Sequence, residues 1–147
     1  MLPEEHLPPH ALLIVTGANL HAEANDRPLA YQLKQQATPR LRRLLNLEPA
    51  IIVLSDLWYL NSEPLHQQPT ISLGQPSVNA LSAHLYRQLP NALVIEDQLA
   101  IQMDLDLQDL RAALWGADHQ LTHQALNLFI DRGYLDRFLT TLAARTT

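Results

Sequence analysis

The sequence predicts an α/β domain: a small three-layer, Rossmann-like arrangement with a mainly parallel sheet of about five strands, a C-terminal β-hairpin edge and a helical tail. Three observations predict it. Strand-like runs recur at 11–15, 50–54 and 70–73, the first two continuously apolar, the pattern of strands covered on both faces. Each is followed by a loop and then by apolar residues at helical spacing, and strands alternating with helices specify a parallel sheet. From residue 118 onward the spacing is helical, without a further strand-like run.

Taken in order, residues 1–10 carry three prolines and no periodicity, and read as a flexible tail ahead of one domain over 11–147. The run Ala11 to Val15 is the first strand, ending at Thr16-Gly17. Leu20 to Asn25 reads as a polar loop. Asp26 then reads as an N-cap, with Pro28 near the first helical position. Thr38-Pro39 is expected to break that helix and start a second, short one through Leu41, Leu44 and Leu45. The second strand, Ala50 to Leu54, ends in a turn over Ser55 to Asn61. The third, Thr70 to Leu73, leads through Gly74 and Pro76 to Ser77, the expected cap of a helix carrying Leu81, Leu85 and Leu89. Ala92 to Ile95 and Leu99 to Met103 form a hairpin about Glu96-Asp97-Gln98. Asp106 is expected to cap a helix that Gly116 ends. Asp118 starts another, and Gly133 separates it from the last.

Composition narrows the class. The chain is 47% hydrophobic and only 17% charged, so it is globular, and its low charge points to a surface covered by a partner, most simply a second copy. A net charge of −5, with Lys34 the one lysine, disfavours nucleic-acid binding, which rests on a basic face. Arg40, Arg42 and Arg43 read as the solvated side of a short helix. With no cysteine, disulfides, thiolate metal sites and thiol nucleophiles are excluded. Met1 to His6 lacks a positive leader segment and no apolar run approaches the ~20 residues that span a bilayer. The expectation is a cytoplasmic protein without membrane contact.

In open α/β sheets, ligands bind beyond the carboxyl ends of the strands. That rule selects three loops. The first offers Gly17, Asn19, His21, Glu23 and Asn25. The second offers Ser55, Asp56, Trp58, Tyr59 and Asn61, and the third Gly74, Gln75, Ser77 and Asn79. The ligand-binding candidates are Gly17, Asn19, Ser55, Gly74, Gln75, Ser77 and Asn79. Gly74 permits close backbone approach, and the first turn after Ser77 can hold a phosphate or carboxylate; the alternative is an ordinary strand-to-helix turn that Ser77 caps. Asp56 is the candidate acid/base or nucleophile, or else a turn cap. His21 and Glu23 are a candidate proton-transfer pair, or else a solvated loop. Trp58 and Tyr59 form a ligand wall, or else core or interface anchors. His119 and His123 share one helix face, yet Gln120 stands where the zinc-protease pattern needs glutamate and no third ligand is near, so no metal is assigned. The string Gly74 to Asn79 is neither a Walker loop nor a dinucleotide fingerprint, and no cofactor is specified. The expected function is binding of a nucleotide-like or small anionic ligand, with catalysis left open. The alternative is a non-catalytic homo-oligomeric scaffold or protein-interaction domain, with Trp58, Tyr59, Trp115 and the helical tail forming the interface.

Overall fold

Four of the apolar segments lie side by side in the middle of one six-stranded sheet. The computed structural model describes residues 7, 8 and 11–146; the expected tail lies almost wholly outside them. The strands are β1 (Leu12–Thr16), β2 (Ile51–Ser55), β3 (Thr70–Leu73), β4 (Asn91–Ile95), β5 (Leu99–Met103) and β6 (Arg111–Gly116), in the order β2-β1-β3-β6-β5-β4. β2, β1, β3 and β6 run parallel, while β5 is antiparallel to both β6 and β4. The sheet is therefore mixed, with six strands, rather than mainly parallel with five.

The pleat sends alternate side chains to opposite faces, and both faces are covered. Leu12, Ile14, Ile71, Leu73, Met103 and Leu114 point to one core, beneath the long helix α1 (Leu20–Leu45) and the tail helices α4 (His119–Asp131) and α5 (Tyr134–Thr146). Leu13, Val15 and Ala113 point to the other, beneath α2 (Asp56–Leu60), a 3-10 turn (Glu63–Gln67) and α3 (Ala80–Tyr86). Among the described residues no helix is long and apolar enough to cross a membrane.

Two expected boundaries are corrected. The first helix starts at Leu20, not after Asp26, because Asn19 caps it and accepts from the Ala22 N–H at 2.9 Å. Asp26 lies two turns inside it. Neither proline breaks it: Pro28 and Pro39 both sit on the exposed side, where the carbonyls they leave without a donor face water, and the buried stripe Leu29, Ala30, Leu33, Ala37 and Leu41 continues past them. Thr38 is not a cap; its hydroxyl donates to the Lys34 carbonyl one turn back at 2.7 Å.

The second correction is larger. Residues 106–115 are not a helix. The segment 104–110 is a loop held by the Asp104 carboxylate, which accepts from the N–H groups of Asp106, Gln108 and Asp109 at 3.1, 3.0 and 3.3 Å. Arg111–Gly116 is then an interior strand between β3 and β5. Ala112, Ala113 and Leu114 are good helix formers, but tertiary pairing overrides such preferences. The small alanines leave room for helices on both faces. The hairpin is as expected, with Glu96 and Asp97 both at positive φ, 53° and 55°, the geometry that suits the twist of a tight hairpin.

Candidate functional site

The carboxyl ends of β1, β2, β3 and β6 converge on the segment 74–79, and most of the polar residues expected to bind a ligand there are tied to one another. Asn79, not Ser77, caps α3: its Oδ1 accepts from the N–H groups of Leu81 and Ser82 at 2.9 and 3.1 Å. Its Nδ2 donates to the carbonyls of Val15 and Leu73 at 3.2 and 3.1 Å. One buried amide thus clips the ends of β1 and β3 to the helix. Asp56 completes the cap from β2, its two oxygens accepting from the N–H groups of Leu57 and Ala80, each at 2.7 Å. The anion at the start of α3 is therefore a carboxylate of the chain itself.

The remaining expected residues extend this latch. Asn19 donates to the Val78 carbonyl at 3.1 Å. Gly17 lies against the same carbonyl, and a Cβ there would stand 1.8 Å from it. Gln75, with its amide nitrogen toward the carbonyls, donates to those of Gly116 and Ala117 at 3.0 and 2.8 Å and accepts from Ser77 Oγ at 3.0 Å. Ser55 caps α2, accepting from the Trp58 N–H at 3.2 Å. Tyr59 is in the core, its ring 4.7 Å from that of His66.

His21 and Glu23 occupy the first turn of α1 rather than a loop. Two residues apart on a helix, they face different directions. His21 pairs with Asn25, with 3.3 Å between Nδ1 and Nδ2, and Glu23 with Arg27 at 3.5 Å. They do not form a proton-transfer pair in this structure. His119 and His123 do share a face of α4, but among the described residues no group of three or more His, Asp or Glu is arranged to hold a metal ion.

What the latch leaves unmatched lies beside it. Asp26, on the sheet-facing side of α1, is 3% exposed, and its Oδ2 meets no donor. Burial raises its carboxyl above the usual carboxylate range, and the charges of nearby His21 and His119 oppose that rise. The Thr16 hydroxyl at the end of β1 and His119 Nδ1 at the start of α4 are also buried without partners. Gly74, at φ +125°, lets the chain pass where a Cβ would stand 2.6 Å from Asp26 Oδ2. The unmatched groups of Thr16, Asp26 and His119 therefore come from β1, α1 and the start of α4, beside the 74–79 segment.

None of these three was among the expected site residues. Asp26 had a signal: it follows Ala22 by four and precedes Leu29 and Ala30 by three and four, so it falls on the buried stripe of α1 once that helix starts at Leu20. His119, singled out with His123 on one helix face, is placed at the carboxyl edge of the sheet only because 111–116 is a strand ending just before its helix. No protein-family model matches the chain, and no curated protein sequence matches it at a significant level.

Proposed function

We propose that the chain binds a small polar ligand of nucleoside or sugar type at the carboxyl ends of β1, β3 and β6, with Asp26 as the floor of the site. The observation that carries this reading is the Asp26 carboxyl, buried with one oxygen unmatched. A carboxyl raised by burial and close to imidazoles is a functional-site candidate. A ligand hydroxyl or amine donating to Asp26 Oδ2 removes the cost of an unmatched acceptor. Where the ligand carries an anionic group, the imidazoles of His21 and His119, which act electrostatically on Asp26, are the basic groups beside it. The backbone layout supports the same edge. The order β2-β1-β3 puts the connections from β1 and β2 on opposite faces, and in Rossmann-like sheets such a switch between β1 and β3 is where ligands bind.

The test is thermal stabilisation of the full chain by a panel of nucleosides, nucleotides and sugar phosphates. Stabilisation that Asp26→Ala weakens at least tenfold, with the variant still folded, is the expected result. A panel without effect, or equal stabilisation of Asp26→Ala, would overturn the reading.

A homo-oligomer is the second reading, and one observation favours it. β4 is an open edge strand with no charge between Asn91 and Ile95, and Val94 and Tyr86 are exposed beside it. Light scattering of the wild type against Val94→Lys tests it; an unchanged monomeric mass in both discards it.

A further inference from the structure

At the amino edge of the sheet, the starts of β3 and β6 meet the 3-10 turn and the last turn of α5 around a cavity of about 480 Å³. That volume lies within the range of small-molecule sites, roughly 300–1,000 Å³. In a chain of net charge −5, this wall carries two arginines, Arg111 and Arg145, against one carboxylate, Asp109. The arginines are not equivalent. Arg111 holds Asp109 through Nε and Nη2 at 2.8 and 2.6 Å, and donates to Gln88 through Nη1 at 3.0 Å. Asp109 is thereby compensated within the wall.

Arg145 is anchored differently. Its Nη2 donates to the carbonyls of Leu107 and Gln108 at 2.6 and 2.8 Å. Those neutral acceptors fix the guanidinium without balancing its charge, and among the described residues Arg145 meets no carboxylate. Gln68 lines the same cavity and keeps Oε1 buried without a donor. His66, on the same wall, has Nε2 at 2.8 Å from the Tyr59 carbonyl. A carbonyl only accepts, so Nε2 carries a proton there. The cavity thus combines an arginine that meets no carboxylate among the described residues with a buried amide oxygen that lacks a donor.

We propose that this cavity is a second ligand site, for a small hydroxy- or amino-carboxylate, with the carboxylate on Arg145 and the adjacent hydroxyl or amine donating to Gln68 Oε1. A guanidinium fork matches a planar carboxylate, and the ligand's donor relieves the buried amide oxygen. A phosphate dianion fits less well, because Asp109 shares the wall and, among the described residues, the other arginine there, Arg111, is already paired with it. The site lies at the opposite end of the strands from Asp26 and does not depend on the function proposed for that edge.

The test follows amide and side-chain shifts of the full chain by ¹H–¹⁵N NMR during titration with lactate, serine, acetate and inorganic phosphate at matched ionic strength. Saturable shifts centred on Gln68 and Arg145, with lactate or serine binding at least tenfold more tightly than acetate or phosphate, are the expected result. Arg145→Gln weakens that binding at least tenfold. Because this variant also loses contacts to the 104–110 loop, Gln68→Leu is the second probe, and it reduces lactate or serine to the level of acetate. Arg43→Gln, an exposed charge on α1, leaves binding unchanged. The proposal is overturned by any of four results: no saturable shift with lactate and serine, tighter binding of phosphate, an equal loss in Arg43→Gln, or shifts confined to Gly74 and His119.

Discussion

Asp56 and Asp26 are buried almost equally, 5% and 3% exposed, at the same edge of the sheet. Asp56 stands at the start of α2 and faces the start of α3, so backbone N–H groups without a helical partner meet both of its oxygens. Asp26 stands two turns inside α1, where N–H groups are engaged along the helix, and its Oδ2 is left against the backbone of Gly74. The two side chains differ in the donors around them, not in depth. A buried carboxylate supplied with N–H groups is part of the frame, while Asp26 keeps one buried oxygen without a donor. The unmatched acceptor thus lies beside the capped turn at 74–79 and not within it.

The largest expected effect tests the frame. Asp56→Ala leaves the N–H groups of Leu57 and Ala80 without their acceptor. Hydrogen bonds to a charged group contribute about 1.5–3 kcal/mol each and do not add fully, so the expected loss is about 3 kcal/mol, read from urea midpoints. Asp26→Ala should lose clearly less. Equal losses would erase the distinction between the two carboxylates.

Gly74→Ala comes next. The residue has φ +125°, and the new Cβ would meet Asp26 Oδ2 at 2.6 Å, for an expected loss of about 2 kcal/mol. Combined with Asp26→Ala, the steric part disappears and the backbone part stays, so the double variant loses less than the sum. Strict additivity would mean that Gly74 and Asp26 are not coupled.

Asp26→Asn has a smaller effect whose sign depends on pH. The folded state holds the Asp26 proton more tightly than the unfolded chain, so wild-type stability falls as pH rises from the ordinary value of 3.8 through the raised folded value. The variant lacks that slope. At neutral pH it is the more stable protein, by about 1.4 kcal/mol for each unit of displacement. Parallel stability curves for the two proteins between pH 3 and 8 would show that burial does not perturb Asp26.

These residues also mark how far the sequence could be read. The α/β class, the first three strands, the hairpin and the tail helices follow from local periodicity, which Leu12 to Val15 and Leu99 to Met103 carry without help from their neighbours. β6 does not, since Ala112, Ala113 and Leu114 favour a helix by themselves and become a strand only by pairing with β3 and β5 on either side. The start of α1 was hidden because Asp26 and Pro28 imitate a helix start, while Asn19 performs it. The strand ends that gather the candidate site were legible. Which polar groups there would satisfy one another was not, because the bonds of Asn79 to Val15 and of Asp56 to Ala80 join residues 64 and 24 positions apart.

Ser77 supplies the smallest and most discriminating measurement. By sequence it is the helix cap, yet Asn79 makes the capping bonds, and the exposed Ser77 hydroxyl reaches only Gln75 among the bonds described for it. Ser77→Ala should therefore change stability by no more than about 0.5 kcal/mol, the range of exposed substitutions. The variant thus separates binding from folding in a way that Asn79→Ala, which removes a buried amide from four hydrogen bonds, cannot. A ligand seated over Asp26, Thr16 and His119 should stabilise Ser77→Ala as well as wild type. A ligand held by the 74–79 turn would bind Ser77→Ala less tightly with stability unchanged, and that result would return the site from the Asp26 floor to the capped turn.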